Sequence, residues 1–182
     1  MGNRGILHDD AGRVVRNHAS QLWIICRLSF RGWRAAQWQP HHYTVLFFHD
    51  EAVALAAGHR PCALCRRESY DAYRNAVASH DGTKRLSAKE IDARLHGERL
   101  VPRSGTRRLH EMQWADVPAG AFVVVEDDAP HLVAGDQLVR WTTQGYAAPR
   151  RRPRLGTAVV LTPPASVAAL ARGYRPQVAE VR

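Results

Sequence analysis

The sequence predicts an α+β protein, and three observations lead there. Short β-prone runs recur at the two ends of the chain, separated by turn clusters. Two stretches between them carry helical spacing, and a Cys-x-x-Cys pair stands at the entrance of the first. The expected arrangement is small sheets or hairpins bearing a strand–helix–Cys-x-x-Cys–helix unit, then a β-rich C-terminal region ending in a short helix. The unit occupies residues 1–80 and the region 81–182 packs against it, or the whole chain forms one domain.

Each element has a local cause. Gly5–His8 and Arg13–Val15 flank the turn cluster Asp9-Asp10-Ala11-Gly12, which suits a hairpin. Gln21–Leu28 is rich in branched and aromatic residues and reads as a strand. Gly32 and Pro40 mark residues 31–40 as a connection, and Tyr43–Phe48 reads as another short strand. Asp50 caps an alanine-rich helix that Gly58 closes. Tyr70, Tyr73, Ala76 and Val77 recur at spacings of three and four, so residues 66–79 form an amphipathic helix. His80-Asp81-Gly82-Thr83 ends it. Ser87-Ala88-Lys89-Glu90 is a capping box for a helix through about Leu95. Residues 101–113 read as loop. Strands follow at Ala121–Glu126 and Leu138–Thr142, with a shorter one at His131–Val133. Pro149–Arg154 reads as a basic linker or exposed loop.

The chain echoes itself at a constant offset of 115 residues. Val45, Leu46, Ala54, Leu55, Ala56, Gly58, Arg60 and Pro61 match Val160, Leu161, Ala169, Leu170, Ala171, Gly173, Arg175 and Pro176. Both copies read strand, short helix, glycine, aromatic-type residue, Arg-Pro. Only the first continues into cysteines, so the shared part is a structural device.

A net charge of +9 supports an anionic partner, which could be nucleic acid, without identifying it. Only Lys84 and Lys89 are lysines; every other basic residue is an arginine, whose planar fork of donors matches phosphate. The alternative is a GC-rich genome that writes Arg wherever a solvated cation will do. Candidate phosphate contacts are Arg27, Arg60, Arg66 and Arg67 around the cysteines, and Arg150, Arg151 and Arg152 in the basic run. No apolar run approaches the roughly 20 residues that cross a bilayer, so no membrane partner is expected. An odd count of three cysteines without a secretory leader points to the reducing cytoplasm and away from disulfides.

Two thiolates at the spacing Cys62-x-x-Cys65 can close on one Zn2+, and a helix entrance favours their ionised form. A redox pair would need a βαβ setting, and two buried unreactive thiols are the plain alternative. Cys26, ending the Ile24-Ile25 run, is the remaining cysteine and the natural third ligand. His8, on a hairpin strand able to lie beside that run, is the leading fourth; His41, His42 and His59 are the alternatives. His49-Asp50-Glu51 with Pro61-Cys62-x-x-Cys65 imitates a zinc-deaminase signature, but nine residues between Glu51 and Pro61 leave no room for the helix and strand that signature spans. Glu51 is better read as a carboxylate favouring a helix N-terminus. In the C-terminal half, Asp127, Asp128 and Asp136 sit in turns where Asp is common, and Trp114, Trp141 and Tyr146 read as core aromatics before base-stacking ones.

The stretch Glu51–Cys65 resembles the second zinc-ligand segment of the N-terminal domain of Ada-type DNA repair proteins: an alanine-rich helix, Gly, an aromatic, then Arg-Pro-Cys-x-x-Cys. Ile25-Cys26-Arg27-Leu28-Ser29 is similar to that family's first segment, so the resemblance covers roughly residues 20–68. It implies one zinc, DNA as partner, removal of a methyl group from a methylphosphotriester, Cys26 as the methyl-accepting thiolate, and Cys62 and Cys65 as structural ligands. Phe30 stands where the family has another cysteine. A histidine therefore completes the site, or water does and the zinc is catalytic. The functions to be tested are a zinc-bearing nucleic-acid-binding or repair protein, a zinc hydrolase or nuclease, and an interaction protein with a structural zinc.

Overall fold

A computed structural model describes residues 1–82, 85–125 and 128–180. In chain order the elements are β1 (Gly2–Asn3), β2 (Ile24–Ile25), β3 (Ser29–Phe30), β4 (Trp33–Arg34), α1 (Glu51–Ala56), β5 (Arg60–Pro61), α2 (Arg67–Asp81) and α3 (Ala88–Arg99). The rest are β6 (His110–Gln113), β7 (Phe122–Val124), β8 (Pro130–Ala134), β9 (Gln137–Thr142), β10 (Gly145–Arg151), β11 (Thr157–Val160) and α4 (Pro164–Ala171). The fold is α+β.

The larger sheet has the order β10-β9-β8-β7-β11-β6, with every pairing antiparallel. Side chains alternate across a strand, and here both faces are buried. Val123, Val133, Leu138 and Val160 enter a core with Leu55, Tyr70, Tyr73, Ile91, Leu95 and Leu170. Phe122, Leu132, Val139 and Tyr146 turn the other way, against Ala52 and Ala56 of α1. The first of these cores draws residues from both the 1–80 and the 81–182 stretches. Tyr73 joins them directly, its hydroxyl 2.9 Å from Ser166 Oγ and its ring edge-on to Tyr174.

The echo is one helix ending built twice. Gly58 (φ 84°) donates to Leu55 O and His59 N to Ala54 O; Gly173 (φ 92°) donates to Leu170 O and Tyr174 N to Ala169 O. These pairs of bonds satisfy the last carbonyls of each helix around a left-handed residue that glycine adopts without a Cβ penalty.

Several expected elements differ. The N-terminal hairpin is a tight Asp9 turn with a single bridge, His8 to Val14. Gln21–Leu28 contributes only Ile24 and Ile25 to a sheet, and Tyr43–Phe48 only a bridge from Leu46 to Gly2. The start of residues 31–40, read as a connection, instead completes a hairpin over residues 29–34 whose central Arg31 and Gly32 both have positive φ, as the turn that matches strand twist requires. The loop 101–113 ends in β6. The basic run is the edge strand β10 as far as Arg151; Pro149 is tolerated there because an edge strand need not donate on its outer side. Thr83, Lys84, Glu126 and Asp127 lie outside the described residues.

Candidate metal centre

Backbone pairing brings the sulfurs together. β2 runs between β1 and β5, and its parallel partner β5 places Ile25 opposite Pro61. Cys62 N donates to Ile25 O at 3.0 Å, so Cys26 and Cys62 leave adjacent strands side by side. The chain then turns, Arg66 N donating to Cys62 O, and returns Cys65 to the same point before α2 begins. All three sulfurs lie within 4.8 Å of one another. Sulfurs bound at about 2.3 Å to a tetrahedral zinc stand about 3.8 Å apart, so the triplet can hold such an ion. Among the described residues, no further cysteine, histidine or carboxylate joins it.

The sulfurs are unequal. Leu64 N donates to Cys62 Sγ at 3.4 Å and Arg27 N to Cys65 Sγ at 3.3 Å; among the described residues no backbone N–H reaches Cys26. Cys62 and Cys65 are buried, while Cys26 is partly exposed. The contact with Cys26 holds the Cys62 thiol down to about 5, the same contact together with burial pushes Cys26 up, and burial pushes Cys65 up. Only a positive ion among them allows all three to ionise.

Cys26 lines a cavity of about 850 Å3 whose far wall is the N-terminus of α1 and the segment Gln177–Ala179. That wall is fixed by carboxylates with full sets of partners. Glu51 accepts from Tyr174 Oη at 2.5 Å, Arg66 Nη2 at 2.8 Å and Gln177 N at 3.0 Å. Asp50 accepts from Val53 N, Tyr146 Oη and Ala179 N. Glu51 is therefore a packing carboxylate, as its place in the first turn of α1 suggested.

His8 is the main correction. β1 takes the place beside β2, and the chain bends away before His8, whose Nδ1 lies 2.6 Å from Thr44 Oγ1 and Nε2 3.2 Å from Gln39 O. Of its alternatives, His59 is buried and accepts from Arg4 Nε, and His41 and His42 are exposed. Two predicted phosphate contacts are engaged by carboxylates of the protein itself. Arg60, 2% exposed, makes a bidentate pair with Asp92, and Arg66 is tied to Glu51. Arg152 donates to the carbonyls of Gly135 and Trp114. Arg27, Arg67, Arg150 and Arg151 are exposed.

Sequence reasoning missed Tyr43 and Gln177. Burial and then the charge of the sulfurs push the Tyr43 phenol up, and nothing in its sequence context marks this. Gln177 did have a signal: the echo offset sets it in the position of Cys62. Comparison of the chain with family models, curated proteins and solved structures finds no match. No helix among the described residues is long and apolar enough to cross a membrane.

Proposed function

We propose that the protein binds one zinc through Cys26, Cys62 and Cys65 and uses the Cys26 thiolate as an alkyl acceptor from nucleic acid, with DNA the favoured partner. The observation that carries this reading is the asymmetry of the sulfurs. Two are buried and receive N–H bonds, which draw electron density from a thiolate; the third receives none and opens on the cavity. Zinc keeps such a thiolate ionised near neutrality while leaving it nucleophilic. In the reaction, Cys26 Sγ attacks the methyl carbon of a phosphotriester, the S–C bond forms as the C–O bond breaks, and the phosphodiester leaves with the electron pair. No other reactant is needed.

The hairpin that directly follows Cys26 supports a nucleic-acid partner. It exposes Arg31, Trp33 and Arg34, with Arg27 and Arg67 beside the cysteines, and a basic surface with an exposed aromatic suits backbone contact and base stacking. The test is mass spectrometry of the zinc-loaded chain after incubation with an oligonucleotide carrying a methylphosphotriester. The expected product is a gain of one methyl group on Cys26 and none in Cys26→Ser. Absence of transfer by the wild-type protein, or of stoichiometric metal, overturns the reading.

A second reading has its own observation: three protein ligands leave a zinc position free beside a cavity, the arrangement of a hydrolytic zinc that activates water. It predicts multiple turnovers and cleaved product, where alkyl acceptance stops after one. A zinc that affects only stability, with neither chemistry, would make the site structural.

A further inference from the structure

A second cavity, of about 400 Å3, lies on the other side of α1. Its walls are mostly apolar and aromatic, with Phe48, Val53, Phe122, Trp141 and Leu161 among them, and one arginine, Arg107. The volume and lining fall in the range of pockets that enclose small ligands.

Arg107 is the anomaly. Its Nη2 donates to the carbonyls of Ala56 and Leu161, which anchors the guanidinium in the wall. Among the described residues no carboxylate lies within 4.0 Å of it. Charges of the same sign stand in its neighbourhood: Arg107 disfavours the charged forms of both Arg4 and Arg99. Burial lowers Arg107 to about 10, so it remains charged at neutral pH. Arg107 Nη1 has no partner among the described residues and is not enclosed, so it is the arm that a ligand can reach; Nε of the same guanidinium and Trp141 Nε1 are enclosed and also lack an acceptor. Buried charges in folded proteins are ordinarily paired, and a cation set in an apolar pocket with a free, reachable donor is complementary to an anion with an apolar body.

We propose that this cavity binds a small apolar carboxylic acid, its carboxylate held by Arg107 and its hydrocarbon or aromatic body packed among Phe48, Phe122, Trp141 and Leu161. The site does not rest on the cysteine centre, although Phe48 and His49 line both cavities.

The test is calorimetric titration of the full chain with naphthalene-2-acetate and, in parallel, with its uncharged amide. The acid is expected to bind at least roughly tenfold more tightly than the amide, the scale of a charge-assisted hydrogen bond. In Arg107→Gln the acid should fall to the level of the amide. Because Arg107 also anchors Ala56 and Leu161, a second variant leaves it in place: Ala57→Trp fills the cavity and should abolish binding of both probes. Equal binding of acid and amide, no binding of either, or wild-type binding by Ala57→Trp overturns the proposal.

Discussion

Arg60 grips Asp92 with both arms of its guanidinium, Nε to Oδ1 at 2.9 Å and Nη2 to Oδ2 at 2.7 Å, inside the protein. Its Nη1 also donates to Pro61 O, so the pair fixes the residue just before Cys62 to helix α3. Removing one partner of such a pair leaves a buried charge uncompensated. Asp92→Ala should therefore cost about 3–5 kcal/mol, and replacing both residues by apolar ones of similar volume should recover most of it. Urea denaturation of the two variants checks this. Equal losses in both would mean that packing, not charge, governs the site.

A zinc ion held by the three cysteines would tie β2, β5 and the start of α2 at one point, so on the proposed reading zinc should stabilise the fold. With free zinc at about 1,000 times its Kd, the holo form gains about 4 kcal/mol. Differential scanning calorimetry should show a higher melting temperature with zinc and its loss on chelation. Cys62→Ser and Cys65→Ser should lose nearly all of that increment. X-ray absorption on the loaded wild type should count three sulfur ligands.

The sequence made legible what rests on local chemistry. Asp50 and Ser87 cap helices where the capping residues stand, and the 3–4 spacing of Tyr70, Tyr73 and Val77 marks the buried face of α2. The three cysteines converge as their types and spacing suggested. What depends on partners far along the chain was hidden. His110–Gln113 has no alternating apolar pattern and becomes a strand only because β11 pairs with it. The arginines and Pro149 of β10 look like linker because an edge strand tolerates both. His8 failed as a ligand because the competing occupant of the position beside β2 is the pair Gly2-Asn3, which carries no hydrophobic signal.

Acid should weaken the fold through His59. Its ring is fully enclosed, and burial first, then Arg4 and Arg99, holds its pKa well below 6.5. The neutral ring accepts from Arg4 Nε at 3.2 Å, which a protonated ring cannot do. The unfolded chain takes up the proton near 6.5 and the folded chain only at lower pH. The associated stability is thus fully present above about pH 6.5 and declines as pH falls below it, by up to about 1.4 kcal/mol per pH unit. Melts between pH 7.5 and 5.5 should show a shallower loss for His59→Gln than for wild type. Parallel slopes would assign the acid sensitivity elsewhere.

The two copies of the helix ending allow strain to be separated from packing. Gly58 and Gly173 share a positive φ, so alanine at either position should cost about 1 kcal/mol for the left-handed backbone alone. Their surroundings differ. A Cβ on Gly173 meets nothing within 4 Å, whereas one on Gly58 comes 2.7 Å from Cδ of Arg99. Arg99 cannot swing aside freely: it is 1% exposed, donates to the Gly58 and Gln21 carbonyls, and stacks its guanidinium 3.8 Å from the Trp23 ring centroid. Gly58→Ala should consequently destabilise by about 1–3 kcal/mol more than Gly173→Ala, the usual range for overpacking a well-filled interior. Thermal melts of the two single variants decide it. Equal shifts would show that Arg99 yields, and that the interior around Trp23 is softer than its contacts imply.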